Sequence, residues 1–162
     1  MEIHLQTNSE NPSLTLLGIK RFDDDSGFRA LLVVLSGKFT GEYEFYFEPD
    51  PLKSFIKALE KMDSSLSGTA RLQPLYEPQF IEFECASGGH VIVRGELPEH
   101  SELQQKLIFE FHTDQTVLKP FISALQAVQT LCPAQPLVQP NPATPGRLTS
   151  SVRHPKMQDI SE

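Results

Sequence analysis

Glu42-Tyr43-Glu44-Phe45-Tyr46-Phe47-Glu48-Pro49-Asp50-Pro51-Leu52-Lys53-Ser54-Phe55-Ile56-Lys57-Ala58-Leu59 is matched later in the chain. The second copy is Lys106-Leu107-Ile108-Phe109-Glu110-Phe111-His112-Thr113-Asp114-Gln115-Thr116-Val117-Leu118-Lys119-Pro120-Phe121-Ile122-Ser123-Ala124-Leu125. Each copy alternates apolar and polar residues, reaches an aspartate, and opens into a Phe-Ile-x-Ala-Leu run. A period of two is that of a strand with one face buried. Phe45 and Phe47 correspond to Phe109 and Phe111, and Asp50 to Asp114. After the first aspartate, Leu52, Phe55, Ile56, Leu59 and Met62 recur at three- and four-residue steps, the single apolar stripe of an amphipathic helix. Asp50-Pro51 reads as its start: a carboxylate for the free amides and a proline with its φ preset. In the second copy Pro120 lacks the amide a helix interior needs, so the regular helix is expected to begin near it.

The remaining segments read as strands and turns. Residues 2–6, 14–22 and 28–35 are expected strands, and 30–35 is apolar on both parities, as in a strand covered on both faces or central in its sheet. Thr69 to Leu72 and Phe80 to Cys85 follow the first helix, with Ile81, Phe83 and Cys85 inward. Ser87-Gly88-Gly89 turns the chain into a partner strand from His90 to Leu97. The expected fold is therefore α+β: a mostly antiparallel, curved sheet of about seven to eight strands, with two helices (about 50–63 and 117–130) on one face. Residues 1–132 form the single expected domain. From 133 to 162 the chain turns proline-rich and aperiodic, with Pro133, Pro136, Pro140, Pro142 and Pro145 close together, so a flexible tail is expected.

Charge narrows the function. The whole chain is −7 and the tail +1, which leaves −8 on residues 1–132. That balance is a poor match for nucleic acid, whose binding depends on Lys and Arg neutralising phosphates. It suits a basic protein partner. No catalytic or cofactor motif is present: there is no P-loop, no GxGxxG, and no pair of histidines or cysteines at metal-ligand spacing. Asp23-Asp24-Asp25-Ser26-Gly27 lacks the ligand alternation and distal Glu of a calcium loop and reads as a turn. His112-Thr113-Asp114 reads as a helix cap. With no apolar leader and no run near the roughly 18 apolar residues of a membrane span, a cytoplasmic protein without membrane contact is expected.

Strand parity supplies the candidate site. Glu42, Glu44, Tyr46, Glu48, Phe80, Glu82, Glu84, Ile108, Glu110 and His112 all lie on the parity opposite the core. Were their strands neighbours, they would form an acidic face studded with apolar groups, a docking surface on which aromatics anchor and carboxylates steer. The same pattern fits a sheet face that is merely solvated. A second function is open at this point: a small-ligand-binding α+β domain with an apolar pocket between sheet and helices.

With these residues in view, the chain resembles the WapI-type bacterial immunity proteins. The resemblance is carried by Phe45-Tyr46-Phe47, Leu52…Phe55-Ile56, Leu66-Ser67-Gly68-Thr69-Ala70-Arg71-Leu72, Gly89-His90-Val91-Ile92-Val93-Arg94-Gly95, and Phe109-Glu110-Phe111-His112-Thr113-Asp114-Gln115-Thr116 with Pro120. It covers about residues 14–130 and leaves the tail unmatched. It implies a cytoplasmic, non-enzymatic protein, encoded beside a polymorphic toxin, that binds and silences the toxin's C-terminal domain. Such toxins are commonly nucleases, whose basic active faces would suit an acidic inhibitor.

Overall fold

The computed structural model describes residues 1–5, 7, 9–99 and 105–130. Its elements run β1 (Ile3–Leu5), β2 (Ser13–Arg21), β3 (Phe28–Ser36), β4 (Phe39–Phe47), α1 (Pro49–Ser65), β5 (Thr69–Leu72), β6 (Phe80–Cys85), β7 (His90–Pro98), β8 (Lys106–Asp114) and α2 (Leu118–Gln129). The class is α+β with eight antiparallel strands, as the alternation predicts. Those strands divide into two four-stranded sheets, β1-β2-β3-β4 and β5-β6-β7-β8. The doubled stretch is thus the end of a larger repeat, a four-strand meander followed by a helix, occurring twice. The physical reason is the helix itself. Seventeen residues of α1 carry the chain roughly 25 Å at 1.5 Å per residue, so β5 begins a new sheet instead of extending the old one.

Both sheets and both helices share one continuous core. Phe45, Phe47, Phe109 and Phe111 are buried, as their parity requires. The stripes Leu52, Phe55, Ile56, Leu59, Met62 on α1 and Leu118, Phe121, Ile122, Leu125, Val128 on α2 are buried too. Phe83 of β6 lies between the helices, its ring centroid 5.7 Å from Phe55 and 5.4 Å from Phe121. All three rings are at most 1% exposed. Side chains therefore fill the layer where the alternative reading needs an apolar pocket. α2 also packs on β1, and Gln126 Nε2 donates to Glu60 Oε1 across the helix pair at 2.7 Å. The helices bridge the two sheets.

The helix starts differ from expectation in detail. α1 opens at Pro49, ahead of Asp50, and no side chain caps it. Pro49 and Pro51 both sit in the first turn, where a missing amide has no partner to lose. Asp114 does cap, accepting from the Thr116 amide at 2.9 Å, but what it opens is a 3-10 turn over Gln115–Val117. Pro120 then falls in the first turn of α2. β3, apolar on both parities, is an inner strand between β2 and β4. The tail, Cys132, His100 and His154 lie outside the described residues.

Candidate partner-binding surface

The ten residues chosen by parity do point away from the core, but they occupy two sheets. Glu42, Glu44 and Tyr46 lie on β4, with Glu48 just beyond it; Phe80, Glu82 and Glu84 lie on β6, and Ile108, Glu110 and His112 on β8. β4 pairs only with β3, and β7 separates β6 from β8. The single continuous acidic face, conditional on those strands being neighbours, is not formed.

On the second sheet the intervening strand changes the electrostatics. One cross-strand row reads Arg71, Glu82, Arg94, Glu110. Arg94 Nε is 2.9 Å from Glu82, its guanidinium also bonds Glu84, and Glu110 lies 3.9 Å away. Arg71 reaches Glu82 at 3.4 Å and covers the Phe80 ring, 3.6 Å from its centroid. Lys106 pairs with Glu96 at 3.1 Å. This face is largely neutralised from within, and Phe80 is capped; Ile108 stays exposed. Arg94 is half-buried and serves three carboxylates, so Arg94→Ala is expected to lower stability by about 1 kcal/mol, more at low salt than high. Urea titrations at two ionic strengths check this.

The first sheet is different. Among the described residues no Lys or Arg lies within ion-pair distance of Glu42, Glu44 or Glu48. Glu44 accepts the Tyr46 hydroxyl at 2.8 Å, which raises the Tyr46 phenol above its usual range. The Tyr46 ring stacks on Phe22 at 6.1 Å. Beside these carboxylates runs a half-buried apolar row, Val33 opposite Glu42 and Leu31 opposite Glu44.

Glu48 has a role that parity did not show. Its carboxylate accepts the Leu75 amide at 3.3 Å and ties the β5–β6 loop to the end of β4. Gln73 braces the same loop, donating to the Glu77 carbonyl at 3.1 Å and accepting from Arg71 Nε at 3.0 Å. Burial first, then the nearby Glu77 carboxylate, pushes the Tyr43 phenol up. Leu75 and Tyr76 at its tip are 64% and 92% exposed. No periodicity marks this loop in the sequence; its one signal is two apolar residues, Leu75 and Tyr76, between Pro74 and Pro78.

Nothing among the described residues forms a cluster of three or more His, Cys, Asp or Glu able to hold a metal. The Asp23–Gly27 turn uses its acids locally: Asp24 accepts from the Ser26 amide and hydroxyl at 3.1 and 2.7 Å, and Asp25 pairs with Arg21 at 3.0 Å. Those Ser26 hydrogen bonds hold the Asp24 carboxyl below its usual range. Cys85 is a free, half-buried thiol, raised by burial and by Asp63. No helix among the described residues is long and apolar enough to cross a membrane.

The fold defines the class: an α+β protein of two four-stranded antiparallel sheets bridged by two helices over one core. The chain belongs to the WapI-like immunity protein family, whose model matches residues 3–133. The match takes in β1 as well as the stretch from 14 to 130. Membership gives it an immunity role. Among solved structures it is similar to a chain of the CdiA-CT/CdiI toxin and immunity complex from Enterobacter cloacae, at 14% identity and TM-score 0.40, covering 78% of this chain and 98% of that one. No curated protein matches.

Proposed function

We propose that the protein is a non-enzymatic inhibitor that neutralises its cognate toxin by one-to-one binding in the cytoplasm, and that the toxin domain is basic and nuclease-like. Charge carries the reading: residues 1–132 hold a net −8, and Glu42 and Glu44 on β4 make no ion pair among the described residues. A domain that cuts nucleic acid must hold phosphates, so its working face is rich in Lys and Arg. An acidic rim placed over that face would both bind tightly and exclude the substrate. The filled helix–sheet layer supports action at the surface.

The test uses the purified chain and the toxin domain encoded beside it. The association rate is expected to fall roughly tenfold or more between low and high salt, because steering between opposite charges is screened over about 10 Å at 0.1 M. Toxin activity on RNA or DNA should vanish at one equivalent. Inactivation by a small fraction of an equivalent would establish turnover and overturn the non-enzymatic reading. A salt-independent rate would overturn the basic partner.

A further inference from the structure

The two outer faces are not equivalent as docking surfaces. On the second sheet Arg94, Arg71 and Lys106 already occupy the carboxylates, so an incoming basic surface would have to displace internal partners. On the first sheet Glu42 and Glu44 make no ion pair with a Lys or Arg among the described residues, and they stand beside a half-buried apolar row. The 73–79 loop, tied to the end of β4 by Glu48, holds out Tyr76 at 92% exposure and Leu75 at 64%.

Covering these two side chains with a partner would remove apolar area from water. The loop is also pre-set: Glu48 binds its Leu75 amide, Gln73 binds across its base, and Pro74 and Pro78 restrict its backbone. A loop held in one shape loses little entropy on binding. Tyrosine is enriched among the residues that dominate interface energies, where an apolar ring and a polar tip are buried together.

From this we infer that the toxin-binding surface is the outer rim of β4 joined to the tip of the 73–79 loop. Tyr76 and Leu75 are its apolar anchors, and Glu42 and Glu44 its acidic flank. Glu48 acts as a positioning residue for the loop. The inference rests on the function proposed above, and the occupant is a basic face of the toxin domain with an apolar recess that receives Tyr76.

The experiment measures binding of the full-length chain and its variants to the toxin domain encoded beside it. Tyr76→Ala should raise Kd by roughly 30-fold, the size of an interface hot spot, mostly through faster dissociation. Glu42→Lys with Glu44→Lys should slow association roughly tenfold at low salt and much less at high salt. Glu96→Gln, on the second sheet, should leave Kd within about twofold. Tyr76 makes almost no contact in the free protein, so its variant should melt like the parent, which separates lost binding from lost folding. If the parent binds and both Tyr76→Ala and Leu75→Ala bind equally well, this surface is wrong while the inhibitor function stands. A parent chain that does not bind the toxin domain overturns that function and this surface with it. If Tyr76→Ala instead converts a dimer of the chain alone to a monomer in sedimentation, the loop is a self-association site and the toxin is not its occupant.

Discussion

Phe83→Ala is expected to lower the folding free energy by roughly 3–5 kcal/mol, the range for removing a buried aromatic ring from a packed core. Phe83 is fully buried on β6 and touches rings from both helices, Phe55 and Phe121. Its loss removes the shared contact that joins α1 and α2 to the second sheet. Neither helix can close the void alone, because each is fixed by four further stripe residues against the same core. A small domain is typically stable by only about 5–15 kcal/mol, so the variant should lie near the limit of folding. Urea denaturation provides the measurement, with a lower midpoint at unchanged slope marking a true stability loss. Phe80→Ala, three residues away and half-buried beneath Arg71, should cost about 1 kcal/mol. Equal losses at the two positions would contradict the arrangement of the core.

Gly95→Ala should be the most damaging single-methyl substitution in the second sheet. A Cβ on Gly95 would stand 2.6 Å from the Phe109 ring and 2.6 Å from the Phe80 carbonyl oxygen. The ring could shift only into its packed neighbours, and the carbonyl belongs to the β6 backbone. Overpacking of this kind costs about 1–3 kcal/mol and more when the backbone must move; we expect the upper end. Gly41→Ala is the informative contrast. The Cβ there would meet only Leu107 side-chain atoms, and a partly buried leucine tip can rotate away. Its expected loss is about 1 kcal/mol. Thermal melts of the two variants side by side decide the matter, and a Gly41 variant less stable than the Gly95 variant would overturn it.

These contrasts show why the sequence could be read so far and no further. Inward and outward positions were legible because a strand repeats every two residues and a helix about every 3.6, both local properties of the backbone. Phe45, Phe47, Phe109, Phe111 and both helix stripes are buried as read. The limits of β5 and β6 agree with the reading as well. Helix starts were less legible. Asp50-Pro51 marked the start, but Pro49 satisfies first-turn chemistry equally well, and the helix opens there.

The candidate surface was legible only as a parity, and parity does not say which strand lies beside which. Glu82, Glu84 and Glu110 are outward acids, but their meaning depends on Arg94, which β7 places between them. Glu48 is outward too, yet its carboxylate is spent on the Leu75 amide of a loop 27 residues away. Leu75 and Tyr76 carry no periodicity, so nothing local distinguished an exposed anchor from a buried link.

By itself, then, the sequence determined the α+β class, the alternation of β4, β6 and β8, the two helical stripes, the acid excess and the family resemblance. Each of these is encoded in neighbouring residues or in summed composition. Only the tertiary structure decided that eight strands make two sheets, that the outer carboxylates of β6 pair with Arg94 and Arg71 while Glu42 and Glu44 of β4 make no ion pair among the described residues, and that the 73–79 loop is braced with Tyr76 outward. Those outcomes depend on contacts between residues far apart in the chain, and the energies that select them exist only once the chain has folded.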